Sequence, residues 1–218
     1  MASPSTSGAT PHTTPGKLRV LLEMIKWEHT VFALPFAYAG MLAAPVPFSL
    51  SNLFWITVAM IGARTAGMIL NRIIDATIDA RNPRTADRAI PKGLVGVKEA
   101  WVFTIAAIAL LVLATFFLAP ITRYLWPLVV LGFLIYPYTK RFTWLCHLAL
   151  GIANGLAPGA AWVAVTGEIS WTPAFIWAGA ALWVAGFDVI YALLDRDFDL
   201  ENRVNSLPAR FGIWPAGS

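Results

Sequence analysis

Long apolar runs separated by short polar segments dominate this sequence and limit the folds that it can adopt. Residues 99–119, for example, contain no charged side chain after Glu99. A helix needs about 20 apolar residues to cross a bilayer. Of the 218 residues, 58% are apolar and 13% are charged, whereas a soluble domain carries about 25% charged residues. The sequence therefore predicts an all-α, multi-pass membrane protein embedded in the lipid bilayer.

Six spanning helices are predicted, and the basic residues give their direction. All but two of the 16 Lys and Arg residues lie in the amino-terminal segment, in the loops after the second and fourth helices or at the adjoining helix end, or in the tail. The exceptions are Arg64, inside the second helix, and Arg123, in a loop on the opposite side. Because basic loops stay in the cytoplasm, the N-terminus is predicted to be cytoplasmic. The predicted spans are 29–45, 52–74, 99–119, 124–139, 143–166 and 173–194.

The two ends of the chain differ from this helical region. Residues 1–16 are rich in Ser, Thr, Pro and Gly and are predicted to be disordered. Residues 17–212 are predicted to form one membrane-embedded domain, with a short tail at 213–218. Residues 17–28 form either an amphipathic helix on the membrane surface or an extension of the first spanning helix. The single cysteine, Cys146, excludes an internal disulfide, and no nucleic-acid partner is expected.

The second predicted helix ends in an acidic ladder. It runs into "NRIIDATIDARNPRTADRAIPKG", residues 71–93, where Asn71, Asp75 and Asp79 are four residues apart. Residues at this spacing share one helix face, and these three span about 12 Å. Like charges at this spacing repel, and carboxylates are unfavourable near hydrocarbon. The ladder therefore needs a cationic partner.

The sixth predicted helix ends in a second acidic group. Its sequence "DVIYALLDRDFD" carries Asp195 and Asp199 on one face with Asp188, while Asp197 is predicted to point to solvent. Because the second and sixth helices run in the same direction, both acidic ends are predicted to reach the cytoplasmic face. For a single Asp, an interfacial ion pair is an equally good interpretation. The paired array favours a shared binding site.

The residue types at these helix ends indicate a metal ion and a phosphate group. Carboxylate and amide oxygens suit Mg²⁺, which keeps several waters and often bridges to phosphate oxygens. Arg binds phosphate with two parallel donors, and Lys binds it as a point charge. A diphosphate at the mouth of a membrane cavity suggests a lipid substrate, namely an isoprenoid whose tail lies among apolar helices.

Both acidic segments resemble motifs of a known family. Residues 71–93 resemble the first aspartate-rich motif, NxxxDxxxD, of the UbiA superfamily of intramembrane aromatic prenyltransferases. Residues 188–199 resemble its second motif, DxxYAxxDxxxD. Further matches are "KWEHTVFALPFAYAG" and "YPYTKRFTWLCHLALGIANG". The resemblance covers roughly residues 20–212 and is nearest to 4-hydroxybenzoate polyprenyltransferases and related menaquinone-pathway enzymes.

The resemblance implies an activity and a set of site residues. The activity is Mg²⁺-dependent transfer of a polyprenyl group from polyprenyl diphosphate to an aromatic acid, in the inner membrane of a bacterium. 4-Hydroxybenzoate, for ubiquinone-type quinones, is the preferred acceptor, and a naphthoate of a menaquinone route is the alternative. The expected metal ligands are Asn71, Asp75, Asp79, Asp195 and Asp199, of which the four Asp residues are also the expected catalytic residues. The expected diphosphate-binding residues are Arg72, Arg84, Arg88, Lys92, Lys140 and Arg141.

The acceptor side of the site is predicted around Arg64. An Arg at mid-membrane should face a cavity rather than lipid, and we hypothesise that it binds the carboxylate of the aromatic acceptor. A structural pairing with Asp188 or with a backbone carbonyl is the alternative. Asp188, Tyr136 and Tyr191 are candidates for contacting the acceptor or shielding an allylic cation with ring faces, although aromatic residues at this depth are often packing residues.

The resemblance also raises alternatives to a complete enzyme. Family members usually continue for three more spanning helices, about nine in all, so the chain is expected to be a truncated member or to have partner subunits fill the gap. An inactive truncated relative is one alternative function. A divalent-cation carrier is another, although the basic segment "RTADRAIPKG" would repel the ion.

Three glycines of the fifth predicted helix have an architectural interpretation. Gly151, Gly155 and Gly159 recur every four residues, which permits close approach of another helix. Pro158 is predicted to kink the helix. His147 shows no spacing typical of a metal site and is interpreted as a packing residue, as is its neighbour Cys146.

Overall fold

The computed structural model describes residues 16–212, which form ten α-helices and no β-strand. A 3₁₀ turn at Leu193–Asp195 joins the eighth helix to the ninth. The predictions for residues 1–15 and 213–218 lie outside the described residues. The helices are α1 Lys17–Ile25, α2 Trp27–Ala43, α3 Leu50–Asp79, α4 Val97–Thr115, α5 Thr122–Thr139, α6 Cys146–Asn154, α7 Leu156–Thr166, α8 Trp171–Ala192, α9 Arg196–Asn202 and α10 Leu207–Phe211.

The six predicted helices are all present, as α2, α3, α4, α5, the pair α6–α7, and α8. The main difference in bounds is that α3 continues to Asp79 rather than ending at residue 74. Among the described residues, four helical segments are long and apolar enough to cross a membrane, namely Leu50–Asp79, Val97–Thr115, Cys146–Thr166 and Trp171–Asn202. The all-helical membrane architecture is therefore confirmed, with six as an approximate number of spans.

The segment before the first long helix forms a separate helix. Lys26 lies between α1 and α2 with a φ of 50°, in the left-handed region, so the helix axis breaks there. Val20 and Met24 of α1 are buried in one apolar cluster with Ile69 of α3 and Val95 of the following loop. The interpretation of residues 17–28 as a simple extension of the first spanning helix is wrong.

Helix α3 is the central element of the bundle. Its 30 residues are about 45 Å long, whereas the hydrocarbon layer is about 30 Å thick. It packs against α2, α4 and α5, and its approach to α4 requires Gly62, because a β-carbon there would lie 2.7 Å from the carbonyl oxygen of Ala107. Its excess length brings Asp75 and Asp79 to an end that extends beyond the apolar layer.

The predicted glycines bring α6 and α7 against α8, as expected. A β-carbon at Gly151 would lie 2.3 Å from the carbonyl oxygen of Ala181, and one at Gly155 would lie 2.5 Å from the same residue's amide nitrogen. The break between α6 and α7 falls at Gly155, three residues before Pro158. A proline ring collides with the carbonyl of the fourth residue before it, here Asn154, which explains why α6 ends there.

The end of the sixth span differs from the prediction. A continuous helix would keep Asp188, Asp195 and Asp199 on one face, but α8 ends at Ala192 and a 3₁₀ turn follows. With about 3.0 residues per turn instead of 3.6, three such residues rotate the next helix by about 60°. The three residues therefore do not lie on one continuous helix, although the side chains of Asp188, Asp195 and Asp199 all line one cavity. Asp197 does point to solvent, with 89% of its side chain exposed.

Candidate active site

A cavity of about 210 Å³ lies where the ends of α3, α5 and α8 meet α6, α9 and residues 204–206. Both acidic helix ends line it, so the prediction that they converge on one side of the bundle is confirmed. The side chains are brought together because α3 and α8 run in the same direction and both end at this face. The predicted site residues that line the cavity are Asn71, Asp75, Asp79, Arg84, Arg88, Tyr136, Lys140, Asp188, Tyr191, Asp195 and Asp199.

Asp75 is the most enclosed carboxylate of the cavity, with 2% of its surface exposed. Its Oδ2 accepts a hydrogen bond from the Asn71 amide at 2.8 Å and pairs with the Lys140 ammonium at 2.6 Å. Its Oδ1 is buried and has no hydrogen-bond partner among the described residues. An unpaired carboxylate oxygen in such surroundings is costly, so this oxygen is suited to a cationic ligand.

Asp79, one turn further along α3, is paired with the loop that follows the helix. The Arg88 guanidinium donates to its Oδ2 at 2.6 Å, and the hydroxyl of Thr85 donates to its backbone carbonyl at 3.0 Å. The loop between α3 and α4 therefore folds back over the end of α3. The basic residues of the loop reach the cavity because the loop folds back in this way.

Asp195 connects the second acidic end to the same loop. Its carboxylate accepts hydrogen bonds from the Arg84 guanidinium, one of them at 2.8 Å, and from the Asn82 amide at 3.0 Å. These bonds to Asp195 raise the pKa of Arg84 above its ordinary value, so Arg84 stays charged. Asp199 is buried and lines the cavity one turn later, in α9. The α3–α4 loop thus bridges the two acidic ends.

Three of the predicted diphosphate-binding residues lie away from the cavity lining. Arg72 is buried in α3, Lys92 pairs with Asp87 at 2.8 Å, and Arg141 donates to the carbonyl of Ile74 at 2.7 Å. In this structure the side chain of Arg72 is buried in the helix bundle, and those of Lys92 and Arg141 bond to groups outside the cavity lining. Their contact with phosphate stays a prediction.

Arg64 lies deeper in the bundle than the cavity lining. Its Nη1 donates a hydrogen bond to the side-chain oxygen of Asn154, at the end of α6, and its Nε is buried without a hydrogen-bond partner among the described residues. Asp188, the alternative partner predicted for Arg64, instead contacts His147, with 2.6 Å between its Oδ2 and the His147 Nδ1. Tyr136 is buried at the cavity wall.

Sequence reasoning missed Asn82 and His147. Asn82 follows Asp79 by three residues, so continuing the helical spacing past the end of α3 would have included it. His147 gave no such signal, because its partners Asp188 and Leu207 are 41 and 60 residues away in the chain. It was interpreted as packing, and it is indeed buried, but both of its ring nitrogens are hydrogen-bonded.

The carboxylate and amide oxygens that line the cavity are of the type that binds Mg²⁺. Within residues 16–212, no three His, Cys, Asp or Glu side chains are close enough together to hold a metal ion. Three of the cavity carboxylates instead pair with basic side chains, Asp75 with Lys140, Asp79 with Arg88 and Asp195 with Arg84. The buried, unpaired Oδ1 of Asp75 provides an oxygen ligand of the type that Mg²⁺ prefers.

Known proteins share both the sequence and the fold. A model of the UbiA prenyltransferase family matches residues 33–217. The 4-hydroxybenzoate octaprenyltransferase of Vibrio campbellii is 35% identical over 192 residues, covering 87% of this chain and 64% of that protein. An apo structure of a UbiA homolog from Aeropyrum pernix K1 is 38% identical, with a TM-score of 0.77 over 85% of this chain and 70% of that one.

A more distant structure shares the fold alone. It is a UbiA homolog from Archaeoglobus fulgidus bound to DMAPP and Mg²⁺, 20% identical, with a TM-score of 0.68 over 90% of this chain and 70% of that one. The present chain spans only 64% of the length of the V. campbellii relative and 52% of the corresponding Vibrio atlanticus protein. The family match nevertheless covers most of this chain. The chain is therefore an integral membrane protein that belongs to the UbiA prenyltransferase family.

Proposed function

We propose that the chain transfers a polyprenyl group from polyprenyl diphosphate to an aromatic acid, with 4-hydroxybenzoate as the preferred acceptor. The observation that carries this proposal is the convergence of two acidic helix ends and three basic side chains on one cavity. The similar curated proteins, which are named 4-hydroxybenzoate octaprenyltransferases, support the same reaction and acceptor. The bond from the prenyl C1 to the diphosphate oxygen breaks, a carbon–carbon bond to the ring forms, and the ring then loses a proton.

Asn71, Asp75 and Asp79 of the first acidic end, with Asp195 and Asp199 of the second, would hold Mg²⁺. When bound, Mg²⁺ supplies positive charge that stabilises the departing pyrophosphate. The basic residues contribute the rest of that charge: Arg84, Arg88 and Lys140 lie within reach of the cavity and each is held by a carboxylate. These pairs orient the guanidinium and ammonium groups before phosphate oxygens compete for them.

The prenyl tail would lie among the apolar helices, and the diphosphate would face the cytoplasm. The basic residues of the α3–α4 loop and of the α5–α6 connection support this orientation, because positive loops remain in the cytoplasm. The proposed location is the inner membrane of a bacterium. Tyr136 and Tyr191, which both line the cavity, would shield the allylic cation with their ring faces.

The aromatic acceptor would bind through its carboxylate to Arg64. The Arg64 Nε is buried and has no hydrogen-bond partner in the part of the chain that the structure describes, and Asn154 holds the other side of the guanidinium. An incoming carboxylate would satisfy the free donor and neutralise a charge that is otherwise costly at this depth. A naphthoate of a menaquinone route carries the same carboxylate, so it is the second candidate acceptor.

Replacing Arg64 by Leu is expected to raise KM for the aromatic acid about 10- to 100-fold, the value of a lost hydrogen-bonded charge. KM for the prenyl diphosphate should change little, because Asp75 and Asp79 lie about three to four turns further along α3. Steady-state kinetics in membranes, with each substrate varied in turn, measure both values. Arg123→Leu is the matched control, since Arg123 is an exposed Arg on the opposite side. A larger effect on prenyl diphosphate than on the acid would refute the acceptor role.

The proposed activity is tested by a membrane assay with radiolabelled prenyl diphosphate and a panel of aromatic acids. Product is expected with 4-hydroxybenzoate, or with a naphthoate if the second candidate is correct, and chelation of Mg²⁺ with EDTA should abolish it. The same vesicles report on the other function class. Uptake of Mg²⁺ without any prenylated product would favour a divalent-cation carrier, and neither activity would favour an inactive relative.

A further inference from the structure

The segment after α9, residues 203–211, covers one side of the cavity and is called here the capping segment. Its residues Val204, Asn205 and Ser206 line the cavity. Within the segment, the Ser206 hydroxyl caps α10 by accepting a hydrogen bond from the amide of Ala209 at 3.3 Å. An extended stretch and a five-residue helix have little stability of their own. The position of the capping segment therefore depends on what holds it from outside.

The connection from α5 to α6 holds the capping segment. The backbone amide of Asn205 donates to the carbonyl of Lys140 at 2.7 Å, and the Asn205 side chain donates to the same carbonyl at 3.3 Å. The Cys146 thiol donates to the Asn205 carbonyl at 3.2 Å, and the rings of Trp144 and Phe211 meet edge to face at 5.3 Å. The residue whose ammonium pairs with Asp75 is thus also a main-chain anchor of the segment.

His147 makes a further bond to the capping segment, in addition to the bond from the Val204 amide to the Asp199 carbonyl at 2.9 Å. The backbone amide of Leu207, in the first turn of α10, donates to the His147 Nε2 at 3.2 Å. A backbone N–H can only donate, so Nε2 is the unprotonated nitrogen of the ring and Nδ1 carries the hydrogen. That hydrogen points to the Asp188 carboxylate, whose Oδ2 lies 2.6 Å from Nδ1. Asp188 therefore fixes the tautomer that allows His147 to accept from Leu207.

We propose that His147, oriented by Asp188, is a positioning residue that fixes the capping segment, and with it Lys140, at the edge of the cavity. The inference deepens the proposed function, because it assigns to this pair the alignment of one wall of the diphosphate site. It gives Asp188 a role other than pairing with Arg64. It also explains why a residue as polar as His147 is buried at the start of α6.

The test uses hydrogen–deuterium exchange of the purified chain, followed in peptides from residues 203–212. In His147→Asn, the shorter amide still reaches Asp188 but not Leu207, so exchange of the segment should be about fivefold faster, the value of one lost hydrogen bond. In His147→Gln, the longer side chain again offers an oxygen to Leu207, and exchange should stay within about twofold of wild type. Peptides from α4 serve as an internal control and should be unchanged in both variants.

A second pair of variants tests the part played by Asp188. Asp188→Leu removes the acceptor that fixes the tautomer of His147. The capping segment should therefore again exchange several-fold faster, although Asp188 lies outside this segment. Asp188→Asn keeps an acceptor oxygen and should resemble wild type. The proposal would be overturned if the capping segment exchanged at the wild-type rate in both His147→Asn and Asp188→Leu. It would also be overturned if exchange became equally faster in His147→Asn and His147→Gln. In either case His147 would be a packing residue.

Kinetics separate this inference from the proposed function. If the chain transfers prenyl groups, His147→Asn should raise KM for prenyl diphosphate several-fold with kcat nearly unchanged, and His147→Gln should restore it. A shift in kcat alone would contradict the positioning role. The variants could show the expected hydrogen–deuterium exchange although the chain makes no prenylated product. That result would refute the proposed function, and it would still support the link from Asp188 to the capping segment.

Discussion

Replacing Asp75 by Asn is expected to lower the rate of prenyl transfer about 100- to 1,000-fold, the usual effect of removing one preorganised electrostatic group. Asp75 is almost fully buried and lines the cavity, and its Oδ1 has no hydrogen-bond partner among residues 16–212. Asn keeps the shape of the side chain but loses the negative charge that would hold Mg²⁺. The thermal unfolding temperature should change little by comparison, and turnover in membranes is the measurement.

Two other Asp→Asn variants make this prediction specific. Asp195→Asn should cause a loss of similar size, because Asp195 belongs to the second acidic end and is bonded to Arg84. Asp197→Asn should leave turnover unchanged, because 89% of the Asp197 side chain is exposed. Wild-type turnover in Asp75→Asn, or an equal loss in Asp197→Asn, would rule out the proposed metal site.

Replacing Gly151 by Ala is expected to destabilise the fold more than any surface substitution. The added β-carbon would lie 2.3 Å from the Ala181 carbonyl oxygen and 2.9 Å from the Ala185 side chain. Overpacking of this kind costs about 1–3 kcal/mol, and we expect the upper end because the first contact is with backbone. For a chain of this size, that value corresponds to a fall of about 6–12 °C in the unfolding temperature.

The matched control is Gly179→Ala in α8, where an added β-carbon meets no atom within 4 Å. There the substitution should be neutral or stabilising by up to about 1 kcal/mol, because Ala is the better helix former. Unfolding temperatures in detergent compare the two variants directly. A Gly151→Ala variant as stable as Gly179→Ala would mean that α6 and α8 do not pack as closely as described.

The helical architecture was predictable because membrane helices are specified by composition and length. Apolar runs and the placement of basic loops predicted all six long helices to within a few residues, except at the end of α3. The predicted span ended at residue 74 because Asp75 and Asp79 are polar and lie past the apolar run, although their four-residue spacing indicated that the helix continues to them. Hydropathy indicates which residues lie in lipid, but it does not indicate at which residue the hydrogen bonding of a helix ends.

The convergence of the acidic ends was predictable from helix direction, whereas their detailed geometry was not. The 3₁₀ turn at Leu193–Asp195 rotates Asp199 relative to Asp188, and nothing in the spacing of the acidic residues indicates that turn. Likewise, the sequence indicated that cations surround the carboxylates, but not which cation pairs with which. Those pairs depend on the path of the α3–α4 loop, which folds back to bring Arg84 to Asp195 and Arg88 to Asp79.

The longest-range contacts of the site were beyond the reach of sequence patterns. Asn154 lies 90 residues from Arg64, and Leu207 lies 60 residues from His147. Such pairs form because α6 packs between other helices and presents polar side chains at both of its ends. A single sequence contains no periodicity that connects residues at these separations.

The central claim is that both acidic ends bind one metal-bridged diphosphate, and a double-mutant cycle on ligand binding tests it most directly. Calorimetric affinities for geranyl diphosphate in the presence of Mg²⁺ would be compared for the wild type, Asp75→Asn, Asp195→Asn and the double variant. Groups that share a ligand are coupled. The double variant should therefore lose less binding free energy than the two single variants lose in sum, by at least about 1 kcal/mol. Losses that add without coupling, or an affinity that survives removal of Mg²⁺, would contradict the claim.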